Sequence, residues 1–89
     1  MIKHEVVVRN KLGLHARAAA RVTQLASKFN ATVTLMANGK RANARSLVAV
    51  MILAASVGTR ISIESTGPDE LEAMTAISRL IDGRMGEPA

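Results

Sequence analysis

The 89-residue chain reads as an α+β fold. The expected architecture is an open-faced two-layer sandwich in the order β-α-β-β-α-β-α, with a four-stranded antiparallel sheet and three helices on one face. Three observations predict it. The spacing of apolar residues switches along the chain between two, the strand period, and three to four, the helix period. Each strand candidate carries one apolar and one polar face, which suits a sheet covered by helices on one side only. No repeat or linker composition interrupts the sequence, so residues 1–89 are expected to form one domain, as the length also implies.

The elements follow in order. Residues 2–8 alternate, with Ile2, His4, Val6 and Val8 on one face and Lys3, Glu5, Val7 and Arg9 on the other, a half-buried strand. His4 falls on the apolar face or at its edge and reads as a structural residue. Asn10–Lys11–Leu12–Gly13 ends the strand. From Ala16 the period lengthens, and Ala19, Val22, Ala26 and Phe29 form one stripe of a helix expected to run to about Lys28. Val33 and Leu35 alternate with Thr32, Thr34 and Met36 in a second strand. Asn38–Gly39 is a strong hairpin signal, because both central positions of a type I′ turn require positive φ. Lys40–Arg45 returns as a third strand on the authority of that turn.

Ser46 precedes the apolar run Leu47–Ala55, which reads as a short helix capped by the serine and closed at Gly58. Ile61, Ile63 and Ser65 alternate with Arg60, Ser62 and Glu64 in a fourth strand. Gly67–Pro68–Asp69–Glu70 opens the last helix, with proline expected at its first position and acids facing the positive end of the dipole. Its stripe is Leu71, Met74, Ile77 or Ser78, and Ile81. The tail 85–89 is expected to fray.

Composition removes several function classes. There is no cysteine, which excludes disulfide frameworks, thiolate nucleophiles and Fe–S clusters. With only two histidines, no metal site is expected. The longest apolar run is less than half the ~20 residues a bilayer requires, and residues 1–5 lack a signal peptide's apolar core. A cytoplasmic protein with no membrane insertion is the resulting expectation. The net charge is +5, but the first forty-five residues hold nine basic groups and one acid while the remainder is acidic. Such a basic half suits an acidic protein partner or phosphate chemistry. Phe29, the single aromatic residue, cannot supply the stacking platform of a nucleic-acid groove, and no nucleic-acid partner is expected.

The chemistry concentrates at Gly13–Leu14–His15–Ala16–Arg17. If helical geometry starts near Ala16, His15 occupies the N-cap, beside backbone N–H groups that have no intrahelical partner. Those donors and the dipole favour an anion. The same positive end opposes imidazolium and favours a neutral, nucleophilic ring. Arg17 adds a fork of donors suited to phosphate oxygens. These residues are compatible both with a phosphate-accepting histidine and with a histidine that merely caps the helix.

Gly13–Leu14–His15–Ala16–Arg17, Ser46 opening a short apolar helix, and the β-α-β-β-α-β-α order together resemble the HPr family, the phosphocarriers of the bacterial phosphotransferase system. The resemblance covers essentially the whole chain. It implies that His15 accepts a phosphoryl group on Nδ1 from phosphorylated enzyme I and passes it to an enzyme IIA, with Arg17 helping to hold and release it. It implies a stoichiometric carrier that needs no cofactor, rather than an enzyme with its own substrate. The family's usual motif has proline after the arginine, where this chain has Ala18. Alanine gives up a pre-set φ and restores an N–H donor, and the anion-binding groups remain.

Ser46 is a helix cap worth ~1 kcal/mol. The resemblance adds a regulatory role, phosphorylation by an HPr kinase/phosphorylase, and the two are compatible because phosphate is electrostatically favoured at a helix N-terminus. Leu47, Val48 and Met51 form the candidate partner surface, since a short helix apolar all round cannot bury every face. Val50 and Leu53 are assigned to the core. Arg21 and Arg45 are placed to steer acidic partners, with Ala16 and Ala20 on the same contact face. A monomer is expected, since the same small surface must meet successive partners. Two alternatives stand beside this reading. One is the nitrogen-related paralogue, which donates to a regulatory enzyme IIA. The other is a non-catalytic ligand- or RNA-binding module, in which His15 would be dispensable.

Overall fold

The computed structural model describes residues 1–87. Four strands, β1 (Ile2–Val7), β2 (Thr32–Ala37), β3 (Lys40–Asn43) and β4 (Arg60–Thr66), form one antiparallel sheet in the order β1-β4-β2-β3. Helices α1 (Ala16–Ala26), α2 (Leu47–Ile52) and α3 (Glu70–Asp82) cover one face, and a short 3₁₀ turn, Arg84–Gly86, follows α3. The expected α+β open-faced sandwich is the fold observed.

Burial follows the strand period. Val33, Leu35 and Ala37 of β2 and Ile61, Ile63 and Ser65 of β4 turn inward, opposite the buried stripes Ala18–Ala19–Val22–Ala26 of α1 and Ala73–Met74–Ile77–Ile81 of α3. Small residues on α1 let the helix sit close to its neighbours, as the alanine-rich stretch anticipates. The β2–β3 hairpin turns on Asn38 (φ 53°) and Gly39 (φ 75°), both positive as a type I′ turn requires. Asn38 Nδ2 also donates to the Leu53 carbonyl at 2.9 Å, tying the hairpin to the end of α2. Val50 and Leu53 are fully buried, as assigned.

Several element boundaries differ from the sequence reading, each for a local reason. Helix α1 ends at Ala26 rather than Lys28, because the Lys28 and Phe29 N–H groups bond three residues back and tighten the last turn. Helix α2 stops at Ile52 rather than continuing toward Gly58. The Leu53 and Ala54 N–H groups again bond three residues back, and Ala54 takes φ 53°. Pro68 precedes α3 instead of occupying its first position, and Asp69 is the cap residue. Its carboxylate turns away from α3 and accepts the Asn30 and Ala31 N–H groups at 2.9 and 2.7 Å.

Two side chains lie elsewhere than expected. Leu71, counted in the apolar stripe of α3, is 64% exposed, and Ile77 rather than Ser78 completes the stripe. His4 is exposed because β1 is an edge strand and a cleft between it and α3 opens beside the ring. The tail also departs from the expectation that it frays from residue 85. Met85 is fully buried and Glu87 is half-buried, while residues 88 and 89 lie outside the described residues.

Candidate functional site

The segment between β1 and α1 is stapled before it reaches the site. The Val8 N–H donates to the Thr59 carbonyl at 3.0 Å, and the Leu14 N–H donates to the Ala55 carbonyl at 2.9 Å. Asn10 is fully buried, and its Nδ2 donates to the Gly13 carbonyl at 2.7 Å. Gly13 holds φ +66°, and a Cβ there would lie 2.4 Å from the Ala55 carbonyl oxygen. Only glycine lets the two loops approach this closely. Leu14 then plugs into the core at 5% exposure, so the next residue is delivered at a fixed point.

That residue is His15, the N-cap of α1, with extended backbone (φ −72°, ψ 175°). Its Nδ1 accepts the Arg17 N–H at 3.3 Å, and its Nε2 lies 2.5 Å from Glu87 Oε2. A ring nitrogen that accepts from a backbone N–H must carry its lone pair there. The hydrogen-bond network therefore assigns the proton to Nε2, which donates to the carboxylate. The first turn of α1 contains no acidic residue, and the N–H groups at the start of a helix have no intrahelical acceptor and carry its positive dipole end. Arg17 is exposed on that turn. Ala18, where the family's usual proline would stand, is fully buried and keeps its N–H in this donor set.

Glu87 is held by two donors. His15 Nε2 binds one carboxylate oxygen and Asn10 Nδ2 binds the other at 2.6 Å. Hydrogen bonding from His15, then from Asn10, with further help from the charge of Arg21, keeps the Glu87 carboxyl below the usual glutamate value. The side chains of His15 and Glu87 are 27% and 14% exposed, so the ring is reachable from solvent while its partner is largely covered.

Ser46 caps α2 as expected, its Oγ accepting the Ala49 N–H at 3.3 Å. Helices α1 and α2 pack against each other. Leu47, Val48, Met51 and Ile52 are exposed at 40%, 65%, 41% and 56%, an apolar face on the outer side of α2. Ala16 is exposed and Ala20 half-buried on α1. The two arginines assigned to steering are both engaged with backbone. Arg21 donates from Nη1 to the Met85 carbonyl at 2.5 Å, and Arg45 donates to the Phe29 carbonyl. Two clefts of about 310 and 380 Å³ open beside His4 and Glu5 at the β1 edge, and His15 lines neither. No helix among the described residues is long and apolar enough to cross a membrane.

Sequence reasoning missed Asn10 and Glu87. The apolar Met85 between glycines was the one local signal that the tail returns to the core, and nothing in the spacing points Glu87 at a ring 72 residues earlier.

Fold and site together describe a class of small α+β domain with one solvent-reachable imidazole capping the N-terminus of a helix. The comparisons with known proteins are specific about which class. Residues 2–83 match the family model described as PTS HPr component phosphorylation site. The phosphocarrier protein HPr of Cupriavidus necator is 47% identical over 87 residues, covering 98% of each chain. The phosphocarrier protein NPr of Shewanella violacea is 37% identical over 86 residues, covering 97% of this chain and 94% of that one. The crystal structure of HPr-C-His from Thermoanaerobacter tengcongensis superposes with a TM-score of 0.94 at 37% identity, covering both chains fully. A structure described as an HPr dimer from the same organism matches with a TM-score of 0.77 at 38% identity, over 98% of this chain and all of that one. The chain belongs to the HPr family, the phosphocarriers of the phosphotransferase system.

Proposed function

We propose that His15 accepts the phosphoryl group of phosphorylated enzyme I on Nδ1 and passes it to an enzyme IIA. The observation that carries this reading is the position of the ring. Its Nδ1 lone pair sits at the N-terminus of α1, 3.3 Å from the Arg17 amide, where a helix offers unpaired donors to an anion. In the forward step the Nδ1 lone pair attacks phosphorus, the new N–P bond forms, and the N–P bond to the donor's histidine breaks. The Arg17 N–H, which holds Nδ1 in the free protein, is then positioned to turn to a phosphoryl oxygen, joined by neighbouring amides and the Arg17 guanidinium. The return step reverses this with enzyme IIA as acceptor. The protein is consumed and regenerated in each cycle.

The partner surface in this reading is the exposed apolar face Leu47–Val48–Met51 together with Ala16 and Ala20. Met51 suits a surface that meets more than one protein. Arg21 and Arg45 contribute positive charge at its margin while bonding to backbone carbonyls. Ser46 is the regulatory position: phosphate there would be accommodated at the start of α2, and its ~−2 charge would oppose an acidic partner. A working monomer in the cytoplasm fits a carrier whose one face must be free for each partner in turn. The sugar-system branch is favoured over the nitrogen-related one by the higher identity to the relative named HPr than to the relative named NPr.

The test is incubation with enzyme I, magnesium and phosphoenolpyruvate, followed by mass spectrometry, with His15→Ala as control. The expected result is one added phosphate, labile in acid, stable in alkali and absent from the control. No addition with an active cognate enzyme I would leave His15 as a helix cap. Transfer from the phosphorylated protein to a nitrogen-type rather than a sugar-type enzyme IIA would reassign the branch.

A further inference from the structure

We propose that Glu87 is a positioning residue for phosphoryl transfer: it holds the proton of His15 on Nε2, presents Nδ1 to the phosphoryl donor, and neutralises the ring as it gains positive charge. This rests on the reading of His15 as the phosphoryl acceptor and extends it to the far side of the ring.

The contact is built rather than incidental. Both carboxylate oxygens are in use, Oε2 on His15 Nε2 at 2.5 Å and Oε1 on Asn10 Nδ2 at 2.6 Å. Asn10 is itself immobilised, since it is fully buried and its Nδ2 also holds the Gly13 carbonyl. The backbone that carries Glu87 is anchored independently. Met85 is fully buried, and its carbonyl accepts the Arg21 guanidinium at 2.5 Å. The Glu87 N–H donates to the Arg84 carbonyl at 2.9 Å. Arg84 and Met85 adopt φ 60° and 56°, a left-handed conformation that non-glycine residues adopt at a cost and that persists where surrounding contacts enforce it. A strained turn, a buried side chain and a buried amide thus converge on one carboxylate, and that carboxylate touches the reactive ring.

The chemistry follows from which nitrogen carries the proton. With Nε2–H bonded to the carboxylate, the neutral ring exposes its lone pair at Nδ1, the atom facing the start of α1. When Nδ1 bonds to phosphorus and the donor's N–P bond breaks, the Nε2 proton stays in place and the ring becomes cationic. The carboxylate then lies against that positive charge, as the carboxylate of a Ser-His-Asp triad lies against its imidazolium. In the onward step the N–P bond breaks toward the acceptor, and the electron pair returns to Nδ1 of an imidazole already protonated on Nε2. No proton has to be found or lost in either direction. The depressed Glu87 pKa agrees with a carboxylate that stays ionised through the cycle.

The test uses the full-length protein and Glu87→Gln, with Glu87→Asp as the conservative variant. The first readout is the ring ¹⁵N shifts and Hε2 signal of His15 at pH 9, well above the ordinary imidazole pKa of about 6.5. The parent should show one tautomer with a protected Hε2. Glu87→Gln should move the shifts toward a mixture and lose the Hε2 signal, while its thermal unfolding stays cooperative. The second readout is the rate of phosphoryl acceptance from phosphorylated enzyme I. It should fall roughly tenfold, the lower range for loss of an orienting carboxylate, with Glu87→Asp recovering part of it. Unchanged ring shifts in Glu87→Gln would overturn the positioning role whatever the rate. Altered shifts with an unaltered rate would overturn its part in transfer. Altered shifts in a protein whose parent accepts no phosphate would overturn the carrier reading and the transfer role with it, while leaving the tautomer contact established.

Discussion

The packed tail carries a stability prediction that can be worked from burial. Met85 is fully buried, and the 3₁₀ turn that carries it packs against α1 and α3, the two longest helices. Truncating a buried methionine to alanine removes the transfer free energy of its side chain and leaves a cavity, a combined cost of about 2–5 kcal/mol. Residue 85 lies on a short 3₁₀ turn rather than within a longer helix or a strand, and its backbone can partly collapse into the space, so the lower end applies and Met85→Ala should cost about 2 kcal/mol. For a domain of this size that corresponds to roughly a 10 °C fall in Tm. Urea unfolding at neutral pH should show a lower midpoint with an unchanged slope, since the folded state stays compact. The His15 ring signals should shift with it, because Glu87 rides on the same turn. A loss below about 0.5 kcal/mol, the scale of an ordinary surface substitution, would show that the tail frays and would refute both the packing and the tether to His15.

Other variants probe the site and its frame. Gly13→Ala should destabilise the protein by about 1–3 kcal/mol, because it combines positive φ with a Cβ driven into the Ala55 carbonyl; chemical denaturation measures it. Arg17→Glu should slow phosphoryl transfer in both directions by at least about tenfold, since it sets a carboxylate against the phosphoryl oxygens, as read by stopped transfer assays with enzyme I and enzyme IIA. Ser46→Asp should weaken the enzyme I encounter most at low ionic strength and progressively less as salt screens the added charge, which binding measured across a salt series will show. Asp69 is held below the usual aspartate value by the Asn30 and then the Ala31 N–H groups, with the positive charge of Arg45 adding to them. Because the folded value is the lower one, its contribution is complete above about pH 4 and is lost as pH falls through the folded value. Asp69→Asn should therefore be less stable than the parent near neutrality, and the gap should narrow in acid unfolding.

Much of the frame was legible because it depends on local periods and local caps. The alternation in Val33–Leu35 and Ile61–Ile63–Ser65 marked the inward faces, Asn38–Gly39 fixed the hairpin by its φ requirement, and Ser46 and His15 were recognisable as residues at helix starts. Boundaries were less legible where bonding geometry outweighs composition. The run Leu47–Ala55 is apolar throughout, yet Ala54 turns left-handed and ends α2 early. Pro68 suits a first helical position, but the Asp69 carboxylate is drawn to the Asn30 and Ala31 amides and helical bonding begins at Glu70. Leu71 fits the apolar period and still faces water, because the stripe that α3 buries is Ala73–Met74–Ile77–Ile81 and leaves position 71 outside it. Half the site was legible for the same reason. His15 and Arg17 lie within one turn, whereas Glu87 reaches the ring only after the whole sandwich has closed and Met85 has been buried.

The central claim concerns one atom, and ³¹P–¹⁵N correlation spectroscopy tests it most directly. The protein would be labelled with ¹⁵N-histidine and phosphorylated by enzyme I and phosphoenolpyruvate. Coupling of phosphorus to Nδ1 of His15, with Nε2 still protonated, is the predicted result. Phosphorus on Nε2, on His4 or on any other side chain would contradict the account.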